Sequence, residues 1–335
     1  MSGNGPSVAT GLGSMPGEDI GEAVRLVLGE LPDLPHLPEL PARGVTAGMT
    51  GRAVAVVAEL GFDLQPAGWR LTDPPGIDHR RARSLLAQDL DALEEHAGRT
   101  GLFDDGGELK VQVAGPWTLA ATVERPRGDR VLADVGARRE LAQALAEGVR
   151  AHVADVQRRV PGAHVVVQVD EPALPTVMAG GVPTASGFHR HRSVDPPRAS
   201  AALEWVLGAV SESGASPVVH CCAAEVPVRL LRDAGARAVS LDLDVLAASA
   251  YDELGEVLDA GDRVFLGVVP STAPAHVSTV TQVVDRVERL LDMLGLGIDE
   301  VRGQLVLTPA CGLAAASPSY AREALSLVRD SASRL

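Results

Sequence analysis

Seven short runs rich in β-branched residues, each ending in a polar or glycine-bearing turn, set the strongest limit on how this chain can fold. They are VATGLGS (8–14), LKVQVAGPW (109–117), HVVVQVDEPAL (164–174), SPVVHCC (216–222), ARAVSLDLD (236–244), RVFLGVVPS (263–271) and QLVLTPACGL (304–313). Between most of them lie long segments with helical periodicity, such as ARSLLAQDLDALEEH (82–96) and RRELAQALAEGVRAHVADVQRRV (138–160). Continuous apolar strands alternating with helices are the pattern of a parallel sheet covered on both faces. With GFDLQPAGW (61–69) as an eighth strand, the count predicts an α/β fold of the (β/α)8 TIM-barrel type, one domain over residues 1–335. The rival is a doubly wound open sheet, whose nucleotide fingerprint GLGSMPG (11–17) matches only in part. The Pro-rich LPDLPHLPELP (31–41) and the loop GVPTASGFHRHRSVDPPR (181–198) read as irregular excursions above the barrel.

Composition narrows the partners. A formal charge of −14 over 335 residues argues against a nucleic acid or an anionic membrane surface, since no basic stretch stands apart in the sequence. Lys110 is the only lysine among the 30 basic residues. The opening residues lack the basic start and apolar stretch of a signal peptide, and no uncharged apolar run reaches the ~18 residues of a membrane span. The expected location is the cytoplasm. In that reducing compartment three cysteines point to metal binding, catalysis or simple burial rather than to a disulfide framework.

In such barrels the active site lies at the C-terminal ends of the strands, so the polar residues directly after each apolar run carry most information. His220 and Cys222 end one run, Asp242 and Asp244 the next, and Cys311 the last. His220 and Cys222 are two positions apart, so in an extended strand they share one side while Cys221 faces the other. Imidazole and thiolate suit a borderline-soft ion such as zinc, and a carboxylate with a second thiolate would complete a tetrahedron. Spacing alone leaves an equal alternative: three small buried cysteines with no ion.

The strand-end segments resemble the catalytic barrel of cobalamin-independent methionine synthase, in the order that family shows them. LGSMP (12–16) resembles its I-G-S-F-P turn, AGPWT (114–118) its T-G-P-V-T turn and QVDEPAL (168–174) its Q-I-D-E-P-A-L. HCC (220–222) follows as the H-x-C strand, VSLD (239–242) as the I-S-I-E strand and TPACGL (308–313) as the N-P-D-C-G-L turn. The resemblance implies a zinc site formed by His220, Cys222, Asp242 and Cys311, with Asp244 as the alternative carboxylate because Asp242 stands where the family has glutamate. It implies that Ser14 and Asp170, with Glu171 beside it, contact the backbone part of homocysteine. The implied activity is transfer of a methyl group to the homocysteine thiol, forming methionine, with zinc as cofactor.

Three departures bear on that implication. The full-length family enzyme has two barrels, the first helping to hold folate polyglutamate, whereas this length suits one. The family's acidic contact after the second strand finds no counterpart in residues 41–58, which contain neither Asp nor Glu. The family's histidine-bearing loop appears as VVPSTAP (268–274), with no histidine before His276. The expected methyl donor is therefore a methylcorrinoid or a corrinoid protein. Two alternatives stand beside this reading: a uroporphyrinogen decarboxylase-like enzyme or corrinoid-to-thiol methyltransferase on the same barrel, and a zinc-binding relative without catalysis. Trp117 is expected to act as a lid.

Overall fold

The structure is a computed structural model that describes residues 5–335. Its strands are β1 (Val8–Ala9), β2 (Gly61–Gln65), β3 (Gly68–Thr72), β4 (Glu108–Ala114), β5 (His164–Asp170), β6 (Ser216–Cys221), β7 (Ala238–Asp242), β8 (Arg263–Val269) and β9 (Leu305–Pro309). The helices of the N-terminal part are α1 (Ile20–Glu30), α2 (Met49–Val56) and α3 (Ile77–Thr100). Those that follow the later strands are α4 (Pro116–Thr122), α5 (Val135–Arg159), α6 (Leu174–Met178), α7 (Pro196–Glu212), α8 (Val228–Asp233), α9 (Tyr251–Asp259), α10 (Val280–Leu294), α11 (Ile298–Val301) and α12 (Pro318–Ala332). Seven strands form one curled parallel sheet in the order β1-β9-β8-β7-β6-β5-β4. All seven were legible as apolar runs, because a strand buried on both faces has no polar side to break its hydrophobicity.

The eighth position differs from expectation. Residues 61–69 do not enter the sheet: β2 and β3 form a separate antiparallel pair, with Gly61 opposite Thr72 and Gln65 opposite Gly68. The Pro-rich segment, expected to loop above the barrel, instead lies between the two sheet edges. Leu37 N–H donates to Lys110 O at 2.9 Å and Lys110 N–H to Pro35 O at 2.9 Å on the β4 side. Glu39 N–H donates to Gly13 O at 3.0 Å and Met15 N–H to Glu39 O at 2.8 Å on the side that continues β1. The segment changes partner at Pro38, which has no N–H to continue a ladder. That change of side is why a bonded segment with four prolines over residues 31–41 reads as a loop in the sequence.

Strand alternation then builds the interior in layers. Leu34, Val166, Val218, Ala238, Phe265 and Val306 form an apolar plug at the N-terminal end of the strands. Two residues further along each of five of these segments come His36, Gln168, His220, Ser240 and Thr308, all buried and all polar. Two further still come Asp170, Cys222 and Asp242, at the mouth. A larger apolar cluster fills the space between the outer face of the sheet and its helices. The interior therefore grades from apolar plug to polar floor to reactive rim along β5, β6 and β7.

Candidate metal centre and substrate site

The ligand atoms of His220, Cys222 and Cys311 lie within 4.8 Å of one another, although Cys311 is 89 positions from Cys222. Each sits where its strand gives way to a turn, His220 in β6, Cys222 just beyond it and Cys311 just beyond β9. Cys222 Sγ and Cys311 Sγ are 4.0 Å apart, close to the ~3.8 Å edge of a tetrahedron with Zn–S bonds of ~2.3 Å. The Nδ1 of His220 is 3.0 Å from the Ser240 hydroxyl, in register on the neighbouring strand, which leaves Nε2 to point at the sulfurs. The donor set and its spacing fit a zinc ion. Contacts with Cys222 and His220 hold the Cys311 thiol down to about 4, whereas the Cys311 contact and burial push Cys222 upward. Cys221 is fully buried with its thiol raised to about 11 by burial, on the outer face that alternation predicts.

The two candidate carboxylates behave differently. Asp242 lies outside the three-residue cluster. Its Oδ1 accepts the Asp244 N–H at 2.9 Å, and burial raises its pKa, with the Cys311 charge adding to the rise. Asp244 is drawn away by Arg286, 2.7 Å from its carboxylate.

Asp170 and Glu171, adjacent in sequence, point to opposite sides. Glu171 is fully buried and accepts from Trp117 N–H at 2.9 Å, Thr118 N–H at 2.8 Å and the Thr118 hydroxyl at 2.7 Å. It caps the N-terminus of α4, where a carboxylate meets the free N–H groups. A Cβ at Gly115 would collide with it, which explains the glycine of AGPWT. Burial pushes Glu171 up to about 7 against the pull of those donors. Asp170 faces the interior, 8% exposed, and accepts from Gln168 Nε2 at 2.7 Å; burial drives its pKa upward too. Ser14 stands at the same mouth: its O accepts from Leu313 N–H at 2.8 Å, and a Cβ at Gly312 would strike its hydroxyl, so the C-G-L turn needs its glycine.

A buried carboxylate does end the second interior segment, earlier in the chain than residues 41–58. Glu39 ends the segment that lies between β1 and β4, is 7% exposed, and faces the polar floor. Arg52 Nε holds it at 3.2 Å, and Arg52 also bonds Asp89, which Arg43 grips at 2.7 Å. Residues 41–58 lie beyond Glu39; its signal in the sequence is an acidic residue inside a Pro-interrupted apolar segment. Ser240, Gln112, Gln168 and Lys110 were also missed as a group, since nothing but strand register brings them together. Trp117 is no lid: its Nε1 donates to Ala199 O at 2.9 Å, fixing α4 against α7. Arg138 lies over its ring at 5.8 Å and Arg139 over Trp205 at 5.8 Å. Arg198 lines the same pocket as these two arginines, and Asp134 and Asp195 stand near Arg138.

A family model described as the cobalamin-independent synthase catalytic domain matches residues 104–334. The chain belongs to that family. The match begins just before β4, so the first two interior segments and Glu39 fall outside it. The family points to methyl transfer to a thiol, and the chain is an enzyme of the methionine synthase-like kind. No curated protein sequence matches the chain. Similar solved structures include a D-psicose 3-epimerase with D-tagatose from Clostridium cellulolyticum H10, 9% identical over 97% of this chain and 98% of that one, TM-score 0.43. A β-galactosidase from the psychrophilic Marinomonas ef1 is 11% identical over 97% and 58% of the two chains, TM-score 0.45. A 2,3-dimethylmalate lyase is 12% identical over 92% and 74%, TM-score 0.39. Likeness at this level carries nothing about chemistry. No described helix is long and apolar enough to cross a membrane.

Proposed function

We propose that this protein is a cytoplasmic, zinc-dependent methyltransferase that methylates the thiol of homocysteine to give methionine. We take residues 1–335 as one barrel, with residues 35–39 as the strand that closes it. The observation that carries the reading is the meeting of His220, Cys222 and Cys311 at one mouth, beside two buried carboxylates, Asp170 and Glu39. In this reading those three residues would hold the zinc, with Asp242 as the fourth ligand. When bound, zinc lowers the pKa of a substrate thiol, so that a thiolate is present at neutral pH.

The chain's own residues do the rest. Ser240 fixes the imidazole of His220, so that the ligand nitrogen is preset. Asp170 and Glu39 receive the substrate ammonium, where a charge-assisted bond in a low-dielectric floor is strong. Ser14 lies by the Cys311 turn to contact the carboxylate end of the amino acid. Glu171 acts through α4, holding the mouth in shape. The sulfur then attacks the donor methyl in line, forming the C–S bond as the bond to the donor breaks.

For the donor, a methylcorrinoid or methylated corrinoid protein fits a single open mouth on a strongly acidic chain, because the overall field opposes a polyanion. Arg138, Arg139 and Arg198 near Trp117 are the basic groups that a folate tail would need. Zinc-replete protein with homocysteine should demethylate methylcobalamin well above the rate with the triglutamate of methyltetrahydrofolate. The reverse ranking would assign the arginine rim to the folate tail and remove the corrinoid reading. No turnover with either donor would favour a zinc-binding relative without catalysis.

A further inference from the structure

Lys110 is the only lysine of the chain, and it lies fully buried inside the barrel. A lone ammonium in such a place should sit on a carboxylate. It does not. Its Nζ donates to Gln168 Oε1 at 2.7 Å and to Gln112 Oε1 at 3.3 Å, and among the described residues no carboxylate is a hydrogen-bond partner.

The other ends of the two amides complete a symmetric arrangement. Gln168 Nε2 donates to Leu12 O at 2.9 Å and to Asp170 Oδ1 at 2.7 Å. Gln112 Nε2 donates to Leu37 O at 2.8 Å and to Glu39 Oε1 at 3.4 Å. Each amide has two N–H groups, so each is fully used on one backbone carbonyl and one acid. The placement follows from the strands: Lys110 and Gln112 share a face of β4, and Gln168 is opposite Gln112 in register.

We propose that Lys110 is a positioning residue, whose ammonium locks the amides of Gln112 and Gln168 so that Glu39 and Asp170 each receive an N–H and keep their remaining oxygens open for a substrate ammonium. The inference rests on the amino-acid thiol reading given above. An amide flip would turn each glutamine oxygen toward a carbonyl and a carboxylate, and each NH2 toward the ammonium, so every contact would become repulsive. The arrangement also balances the charge of the two acids without placing the lysine on them. A direct ion pair would occupy the oxygens that a ligand needs; the amide spacer leaves them free.

The test uses zinc-replete, full-length protein, calorimetry, and two thiols that differ only in the amino group, L-homocysteine and 4-mercaptobutanoate. Wild type should bind homocysteine the more tightly. Lys110→Met should keep its zinc, bind 4-mercaptobutanoate as wild type does, and lose roughly 10- to 100-fold in affinity for homocysteine, the worth of about one charge-assisted hydrogen bond. Equal losses for both thiols, or no loss for either, would overturn the inference and leave the amino-acid reading standing. A wild type that does not distinguish the two thiols would overturn both. Should Lys110→Met not fold, wild type alone decides. Selective 15N-lysine labelling gives one side-chain signal, which should shift with saturating homocysteine and stay in place with 4-mercaptobutanoate; a shift with both or neither rejects the proposal.

Discussion

Two regions of the same mouth are built on opposite principles. In the sulfur corner, His220 has one ring nitrogen held by Ser240, and the Cys311 thiol meets only Cys222, His220 and its own turn. In the amide floor beneath, Lys110, Gln112, Gln168, Glu39 and Asp170 form a network in which both amides are fully bonded. An underbonded cluster of good ligands is completed from outside, whereas a bonded network presets geometry before anything arrives. The sharpest way to break this contrast is to remove one sulfur. Cys222→Ser and Cys311→Ser should each fall from about one zinc per chain to nearly none by elemental analysis, because a hydroxyl is a far poorer zinc ligand than a thiolate. Full zinc in either variant would show that the missing sulfur is not a ligand and that the corner is not the metal site.

The contrast between mouth and helical shell can be read from pH. Burial lifts Glu171 from 4.5 to about 7, so the native state holds its proton more tightly than the unfolded chain. That contribution is complete below pH 4.5 and is lost as pH rises through 7. His152, buried in α5, goes the other way: burial lowers it from 6.5 to about 4, with Arg52 assisting. Its contribution is complete above pH 6.5 and is lost as pH falls through 4. Each term amounts to roughly 3 kcal/mol at full extent. In urea unfolding of metal-free protein, Glu171→Gln should gain on wild type as pH rises from 4.5 to 7, and His152→Gln as pH falls from 6.5 to 4. Changes of the same sign would mean that one of the two groups is not held as described.

A smaller effect separates corner from floor by ligand. Glu39→Gln should retain zinc but weaken homocysteine binding about tenfold, the loss of one charged partner for an ammonium. Simultaneous loss of zinc would mean the regions are one cooperative unit and the distinction drawn above is false.

The sequence carried the two regions unequally. The curled sheet was visible because its seven strands are continuous apolar runs. The sulfur corner was visible because His220 and Cys222 lie on one strand at period two, and because the six motif segments occur in a fixed order. Assembly of Cys311 with them depended on the strand order of the curled sheet, which no local pattern encodes. The amide floor was quoted without being seen: Gln168 stands in QVDEPAL and Ser240 in VSLD, yet each acquires a role only from a cross-strand neighbour. The segment at 35–39 was missed for a chemical reason, since prolines remove the N–H groups by which a strand is recognised and bonded. Glu39 was lost with it, and the single lysine, visible as such in the sequence, gave no sign of its burial.

The smallest predicted effect tests the alternation on which both regions depend. Cys221 lies between two proposed metal-binding positions but points outward into the core, so its sulfur does packing and nothing else. Cys221→Ala should leave zinc content and thiol affinity at wild-type values and cost about 1 kcal/mol of stability, the loss of one buried heavy atom with a small cavity. In metal-free protein, iodoacetamide should modify Cys311 first, since its thiol is held low and its residue is exposed, and Cys221 last, since burial raises its thiol and closes off access. Early labelling of Cys221, or loss of zinc in Cys221→Ala, would mean that β6 is rotated by one residue. His220 would then face the helices, and neither the sulfur corner nor its Ser240 support could exist as drawn.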